Sequence, residues 1–131
     1  MFYCLNEQNS SIKNIDFYNN ELDDECIESL GEFIKNNKFI ENINISRNST
    51  TDKSIEILTP YLIGNTSLKH LNISWNKGIT DKSIPLLKEI AMKSCLENIN
   101  SNGTSISNKN ILVVLLIINI LRNGSNKIDL S

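Results

Sequence analysis

Histidine occurs once in these 131 residues, at His70, so a Ser-His-Asp or Cys-His arrangement would have to be built around that single ring. The three cysteines, Cys4, Cys26 and Cys95, form no C-x-x-C pair and are odd in number, which argues against a disulfide framework and against a zinc site. They read as small apolar fillers in a reducing compartment. Only five glycines are present and none belongs to a phosphate-binding loop. The acidic run Glu21, Asp23, Asp24 and Glu25 lacks the glycine and ligand spacing of a calcium loop, and reads instead as a capped, solvated helix start. No catalytic, cofactor-binding or metal-binding residue is assigned, and the chain is expected not to be an enzyme.

Charge of one sign is also missing. A net charge of −2 gives no electrostatic case for nucleic acid or an anionic membrane. The longest apolar run, Ile111 to Leu121, is broken by Asn119 and falls short of the roughly 20 residues that span a bilayer. Met1 to Ser11 lacks the basic start and apolar core of a secretory signal, and the sequons at Asn44 and Asn72 fall on predicted strands. The chain is therefore expected to be intracellular and cytoplasmic. Alanine occurs once, at Ala91, against 21 Asn, 21 Ile and 11 Lys; these residues share A/T-rich codons, and the Asn are dispersed rather than contiguous. With 40% hydrophobic and 21% charged residues, the composition is that of a folded domain.

What is present is a repeat. Leu68, Leu71, Ile73 and Asn76 are spaced L-x-x-L-x-L-x-x-N, and the frame recurs at 28-residue steps: Ile40, Ile43, Ile45, Asn48 and Ile12, Ile15, Phe17, Asn20 before it. The step after it, Leu96, Ile99, Ser101 and Thr104, is weaker. Behind each frame stands an N-cap residue type (Asp23, Thr51, Thr80, Ser107), with Asp24, Asp52 and Asp81 following in the first turn. Apolar residues then recur at helical spacing: Ile27, Leu30, Phe33 and Ile34; Ile55, Leu58 and Leu62; Ile84, Leu87, Ile90 and Ala91; Ile111, Val114 and Ile118. Asn37, Gly64 and Asn65 mark the turns back. Pro60 predicts a kink or early stop near Thr59, and Pro85 a distorted first turn.

This strand-plus-helix frame resembles the ribonuclease-inhibitor type of leucine-rich repeat, over nearly the whole chain. The resemblance implies an α/β right-handed solenoid, a horseshoe segment with parallel strands on the concave face and helices on the convex face. One domain, residues 1–131, would hold units 12–39, 40–67, 68–95 and 96–124, flanked by partial units 1–11 and 125–131. Phe2, Leu5 and Asn9 align with Leu58, Tyr61 and Asn65, while Ile128 and Leu130 fall at the inward positions of a fifth strand. Such an array with uncapped ends predicts a longer stack or self-association, and the last helix is apolar nearly all round.

In that family the Asn closing each frame bonds the backbone where the strand bends outward, which makes Asn20, Asn48, Asn76 and Thr104 the expected structural ladder. The residues between inward positions form columns on the concave face. Asp16, Asn44, Asn72, Asn100 and Asp129 make one; Asn14, Asn42, His70, Asn98 and Lys127 the next; then Tyr18, Ser46, Ser74, Asn102 and Asn19, Arg47, Trp75, Gly103. From these, Tyr18, Asn44, Arg47, His70, Asn72, Trp75 and Asn100 are the expected partner-binding residues, since Trp, Tyr and Arg dominate interface energetics. The expected function is protein–protein interaction through the concave face, without a cofactor. Two alternatives stay open: regulation of a small GTPase, with Arg47 as the only concave arginine, and the substrate-recognition arm of a ubiquitin ligase. The second rests on the I-T-D-K-S-I run at Ile79 to Ile84, which resembles the repeats of F-box adaptor proteins, although Asn76 stands where those have Cys and no F-box-like segment is present.

Overall fold

A computed structural model describes residues 12–123. The predicted partial units 1–11 and 125–131, including Phe2, Cys4, Leu5, Asn9, Lys127, Ile128, Asp129 and Leu130, lie outside the described residues. Strands and helices alternate: β1 Asn14–Asp16, α1 Asp24–Lys35, β2 Asn42–Asn44, α2 Asp52–Leu62, β3 His70–Asn72, α3 Ile84–Lys93 behind a 3-10 turn Asp81–Ser83, β4 Asn98–Asn100, and α4 Asn108–Asn123. The four strands form one parallel sheet in the order β1-β2-β3-β4. Its register is the sequence period itself: Ile15 pairs with Ile43, Ile43 with Leu71, and Leu71 with Ile99.

Those four residues are buried, and their strand neighbours are not. Every apolar residue named above at helical spacing is buried against them. The core is thus a single layer between sheet and helices, with α1 packed on α2, α2 on α3 and α3 on α4. Each fully buried Ile or Leu contributes about 1.5–3 kcal/mol, and each helix leans on its sequence neighbour. Among the described residues no helix is long and apolar enough to cross a membrane.

The caps form as the residue types dictate. Asp23 accepts from the Cys26 amide at 3.1 Å, and Thr51 shares a capping box with Ser54. Thr80 caps the 3-10 turn, accepting from the Lys82 amide at 3.2 Å, and Pro85 follows in the first turn of α3, where its missing N–H costs nothing. The first-turn aspartates do more than face a dipole. Asp24 accepts hydrogen bonds from the Thr51 and Ser54 hydroxyls of the next helix start. Asp52 accepts from the Thr80 amide (2.8 Å), the Thr80 hydroxyl (2.6 Å) and the Ser83 hydroxyl (2.6 Å). Asp81 accepts from the Ser107 amide at 2.8 Å. Each carboxylate therefore ties one helix start to the following one.

The expected stop near Thr59 is corrected: α2 runs to Leu62, and the Ile63 amide still donates to the Thr59 carbonyl at 3.0 Å. Pro60 has no N–H, and the one intrahelical bond this removes is to the carbonyl of Glu56, an exposed residue. Gly64 then takes φ +81°, and Asn65 accepts from the amides of Ser67 (2.9 Å) and Leu68 (2.7 Å), turning the chain into β3.

Candidate functional site

With the helices covering one face of the sheet, the other face is built from the residues between the inward positions. Asn14, Asp16, His70 and Asn98 are exposed on it, while Asn42, Asn44, Asn72 and Asn100 are half-buried. The central column is locked by its own backbone. Asn44 Oδ1 accepts from the Ser46 amide (2.9 Å) and hydroxyl (2.6 Å), and Asn72 Oδ1 from the Ser74 amide (3.0 Å) and hydroxyl (2.6 Å). Asn100 Oδ1 accepts from the Asn102 amide at 3.1 Å, and Asp16 from the Tyr18 amide at 2.9 Å. These are Asx turns, which end each strand two residues on. They consume one oxygen per side chain. Among the described residues the Nδ2 groups of Asn44, Asn72 and Asn100 donate to no protein acceptor, so a row of amide donors at the strand spacing of about 4.8 Å lines the sheet face. Ser46 and Ser74 are buried under this row rather than part of an exposed floor.

The frame-closing residues differ from unit to unit. Asn76, fully buried, donates from Nδ2 to the carbonyls of Ile45, Ile73 and Ser74, and accepts at Oδ1 from the Asn48 and Thr50 amides. Asn48 repeats the pattern one step earlier, with the Phe17, Ile45 and Ser46 carbonyls and the Asn20 and Leu22 amides. Asn20 is exposed and makes one side-chain bond, to the Tyr18 carbonyl. Thr104 binds only within its own turn, donating to the Ser101 carbonyl at 2.6 Å and accepting from the Ile106 amide at 3.3 Å. A hydroxyl on a short side chain does not reach the preceding unit as a carboxamide does.

Past each strand the chain passes through a left-handed residue: Asn19 (φ 56°), Arg47 (54°), Trp75 (58°) and Gly103 (74°). Asn and Gly adopt that conformation readily, whereas a long or aromatic side chain there is strained by about 1–2 kcal/mol. The strain is held by bonds to the next unit: the amides of Asn19, Arg47 and Trp75 donate to the carbonyls of Ser46 (3.0 Å), Ser74 (3.0 Å) and Asn102 (2.8 Å). The Arg47 guanidinium lies 4.9 Å from the centroid of the Trp75 ring, within cation–π range. On the following unit, a Cβ added to Gly103 would come within 2.4 Å of the Trp75 ring, so only glycine leaves the indole its seat. Trp75 nevertheless stays 47% exposed and Tyr18 50% exposed, large aromatic surfaces for a folded domain.

Of the residues singled out by sequence, Arg47 and Trp75 are brought into contact, and Asn44, Asn72 and Asn100 stand side by side in register. His70 lies exposed on β3 between Asn42 and Asn98 of the neighbouring strands, and Tyr18 is exposed at the end of the sheet that begins with β1. A separate groove of about 840 Å³ opens on the helix side near Lys35, Lys38, Tyr61 and Asn65, and contains none of these residues. Its Tyr61 hydroxyl is already engaged with the carboxylates of Glu28 (2.7 Å) and Glu32 (3.0 Å).

No family model matches the chain, and no curated protein matches it. Among solved structures it is similar to a tropomodulin C-terminal domain from Caenorhabditis elegans, with a TM-score of 0.73 and 22% identity over 92% of this chain and 74% of that one. At that identity the likeness is one of fold. It overturns the expected assignment to the ribonuclease-inhibitor type of leucine-rich repeat, because the matching architecture is the tropomodulin one and no family model supports the other. The physical reason is that any strand-and-helix coil of constant length holds its strands in register, so a 28-residue step describes the stacking and not the subtype.

Proposed function

We propose that this chain is a non-catalytic protein-interaction module that presents its open sheet face to another protein. The observation that carries the reading is the Arg47–Trp75 stack: a cation and an indole kept largely exposed on a strained backbone that Asn or Gly would occupy more cheaply. The carboxamide row of Asn44, Asn72 and Asn100 supplies donors beside it, with Tyr18 and His70 as flanking contacts. A protein partner fits better than nucleic acid or membrane, since the net charge is −2 and the face mixes amides with the Arg47 cation and the Asp16 carboxylate. The small-GTPase reading gains nothing from Arg47, whose guanidinium is stacked on a ring, and no observation favours the ubiquitin-ligase reading.

In this proposal the fold is a right-handed solenoid of units 12–39, 40–67, 68–95 and 96–124. Parallel strand–helix–strand crossovers are almost always right-handed, and strands about 4.8 Å apart beside helices 8–10 Å apart force the strands to the concave side. The half-buried and exposed free thiols of Cys26 and Cys95 suit an intracellular, cytoplasmic setting. Affinity capture with the wild-type chain and with the Arg47→Ala/Trp75→Ala double variant tests the function. Loss of the captured partner with the double variant, and its retention with Glu25→Ala/Ser29→Ala on the outer side of α1, is the expected result. Equal recovery by both variants would refute the assignment to this face.

A further inference from the structure

The helices differ on the side that faces away from the sheet. α1 exposes Glu25, Glu28, Ser29 and Glu32, α2 exposes Lys53 and Glu56, and α3 exposes Lys93 beside a single large apolar residue, Met92. α4 instead exposes Leu112 (63%), Val113 (42%) and Leu121 (47%), with Leu116 and Ile120 only half-buried. The first turns differ too. Asp24, Asp52 and Asp81 occupy the earlier ones, whereas α4 has no acid there and carries exposed Lys109 against its own dipole.

Lys109, Leu112, Val113, Leu116, Ile120 and Asn123 fall on one stripe of α4, opposite the buried Ile111, Val114 and Ile118. The stripe is nearly symmetric about Leu116: Leu112 and Ile120 lie one turn to either side, Lys109 and Asn123 two turns. We infer that α4 is a homodimerisation face, packing antiparallel against α4 of a second copy about a two-fold axis at Leu116. A two-fold interface must be complementary to itself, and this stripe is. Leu116 meets its own counterpart, and Leu112 meets Ile120 of the other copy. Each Lys109, misplaced at the positive end of its own helix, comes to the negative end of the other. Asn123 Nδ2 is bonded to Asn119 Oδ1, which leaves the Asn123 carboxamide oxygen to accept from that ammonium. The stripe points away from the sheet, so the dimer leaves the Arg47–Trp75 face free, and the inference does not depend on the function proposed above.

Sedimentation equilibrium of the full chain from micromolar to millimolar concentration is expected to show twice the mass of one chain. Leu112→Glu, at an exposed position, is expected to return the monomer mass with an unchanged circular dichroism spectrum and a melting midpoint that is lower than the dimer's and no longer rises with concentration. In a Cys4→Ser/Cys26→Ser/Cys95→Ser background, Leu116→Cys should oxidise to a disulfide-linked dimer. Leu112→Cys should do so only when mixed with Ile120→Cys. A monomer at every concentration, a dimer that survives Leu112→Glu, or equal self-linking at positions 112 and 116 would each overturn the inference.

Discussion

Replacing Asn76 by Ala tests how the strand ends are held together. The side chain is 0% exposed and serves five backbone groups. Two of these keep another partner after the change: the Ile45 carbonyl still accepts from Asn48 Nδ2, and the Ser74 carbonyl from the Arg47 amide. Three are left with none, namely the Ile73 carbonyl and the amides of Asn48 and Thr50. A buried backbone group without a partner costs about 1–3 kcal/mol, so for the three a loss of about 3–9 kcal/mol is expected. That is a large part of the roughly 5–15 kcal/mol that holds a domain of this size. Asn20→Ala, at the exposed end of the same series, removes one bond and is expected to cost less than about 1 kcal/mol. Urea unfolding reads both as shifts of the midpoint at constant slope. If Asn76→Ala stayed within about 1 kcal/mol of wild type, or matched Asn20→Ala, the ladder would not be the device described.

Gly103→Ala, which both strains a φ of +74° and drives a methyl group into the indole, should destabilise by about 1–3 kcal/mol and shift the fluorescence of Trp75, the sole tryptophan. Arg47→Asn should leave stability within about 1 kcal/mol of wild type, because relief of left-handed strain offsets the lost cation–π contact, while partner capture falls. Burial opposes ionisation of Asp52, but hydrogen bonds from Ser83 and Thr80, with the charge of Lys82 nearby, hold its carboxyl below the ordinary 3.8. The Ser107 amide does the same for Asp81 and the Cys26 amide for Asp23. A depressed folded-state value means stability that is present above about pH 4 and lost as pH falls through the folded values, so urea midpoints should drop on acidification below pH 4. Asp52→Asn should flatten that drop, and an unchanged acid limb would refute the role of Asp52.

The strand frame was legible because two periods coincide in it: alternation places Ile15, Ile43, Leu71 and Ile99 inward, and the 28-residue step places them opposite one another. The caps were legible because Asp23, Thr51 and Thr80 act on amides two or three residues away. What needed coordinates is what crosses between units. The T-D-K-S-I run appears twice, at Thr51 and Thr80, yet nothing local says that its Asp reaches the next cap rather than facing its own helix. Likewise Asn44 and Asn72 read as free floor residues, whereas each spends its oxygen on a turn two residues ahead. The left-handed positions did leave a trace, since Asn19 and Gly103 are the types that favour them. Arg47 and Trp75 hid it by breaking that preference.

The most direct measurement is site-specific photocrosslinking in the cellular setting, with benzoylphenylalanine introduced at Trp75 and, separately, at Ser29 on the outer side of α1. A discrete protein adduct from position 75 and none from position 29 is the predicted result. Adducts from position 29 alone, or none from position 75 while wild-type chain still captures its partner, would contradict the account.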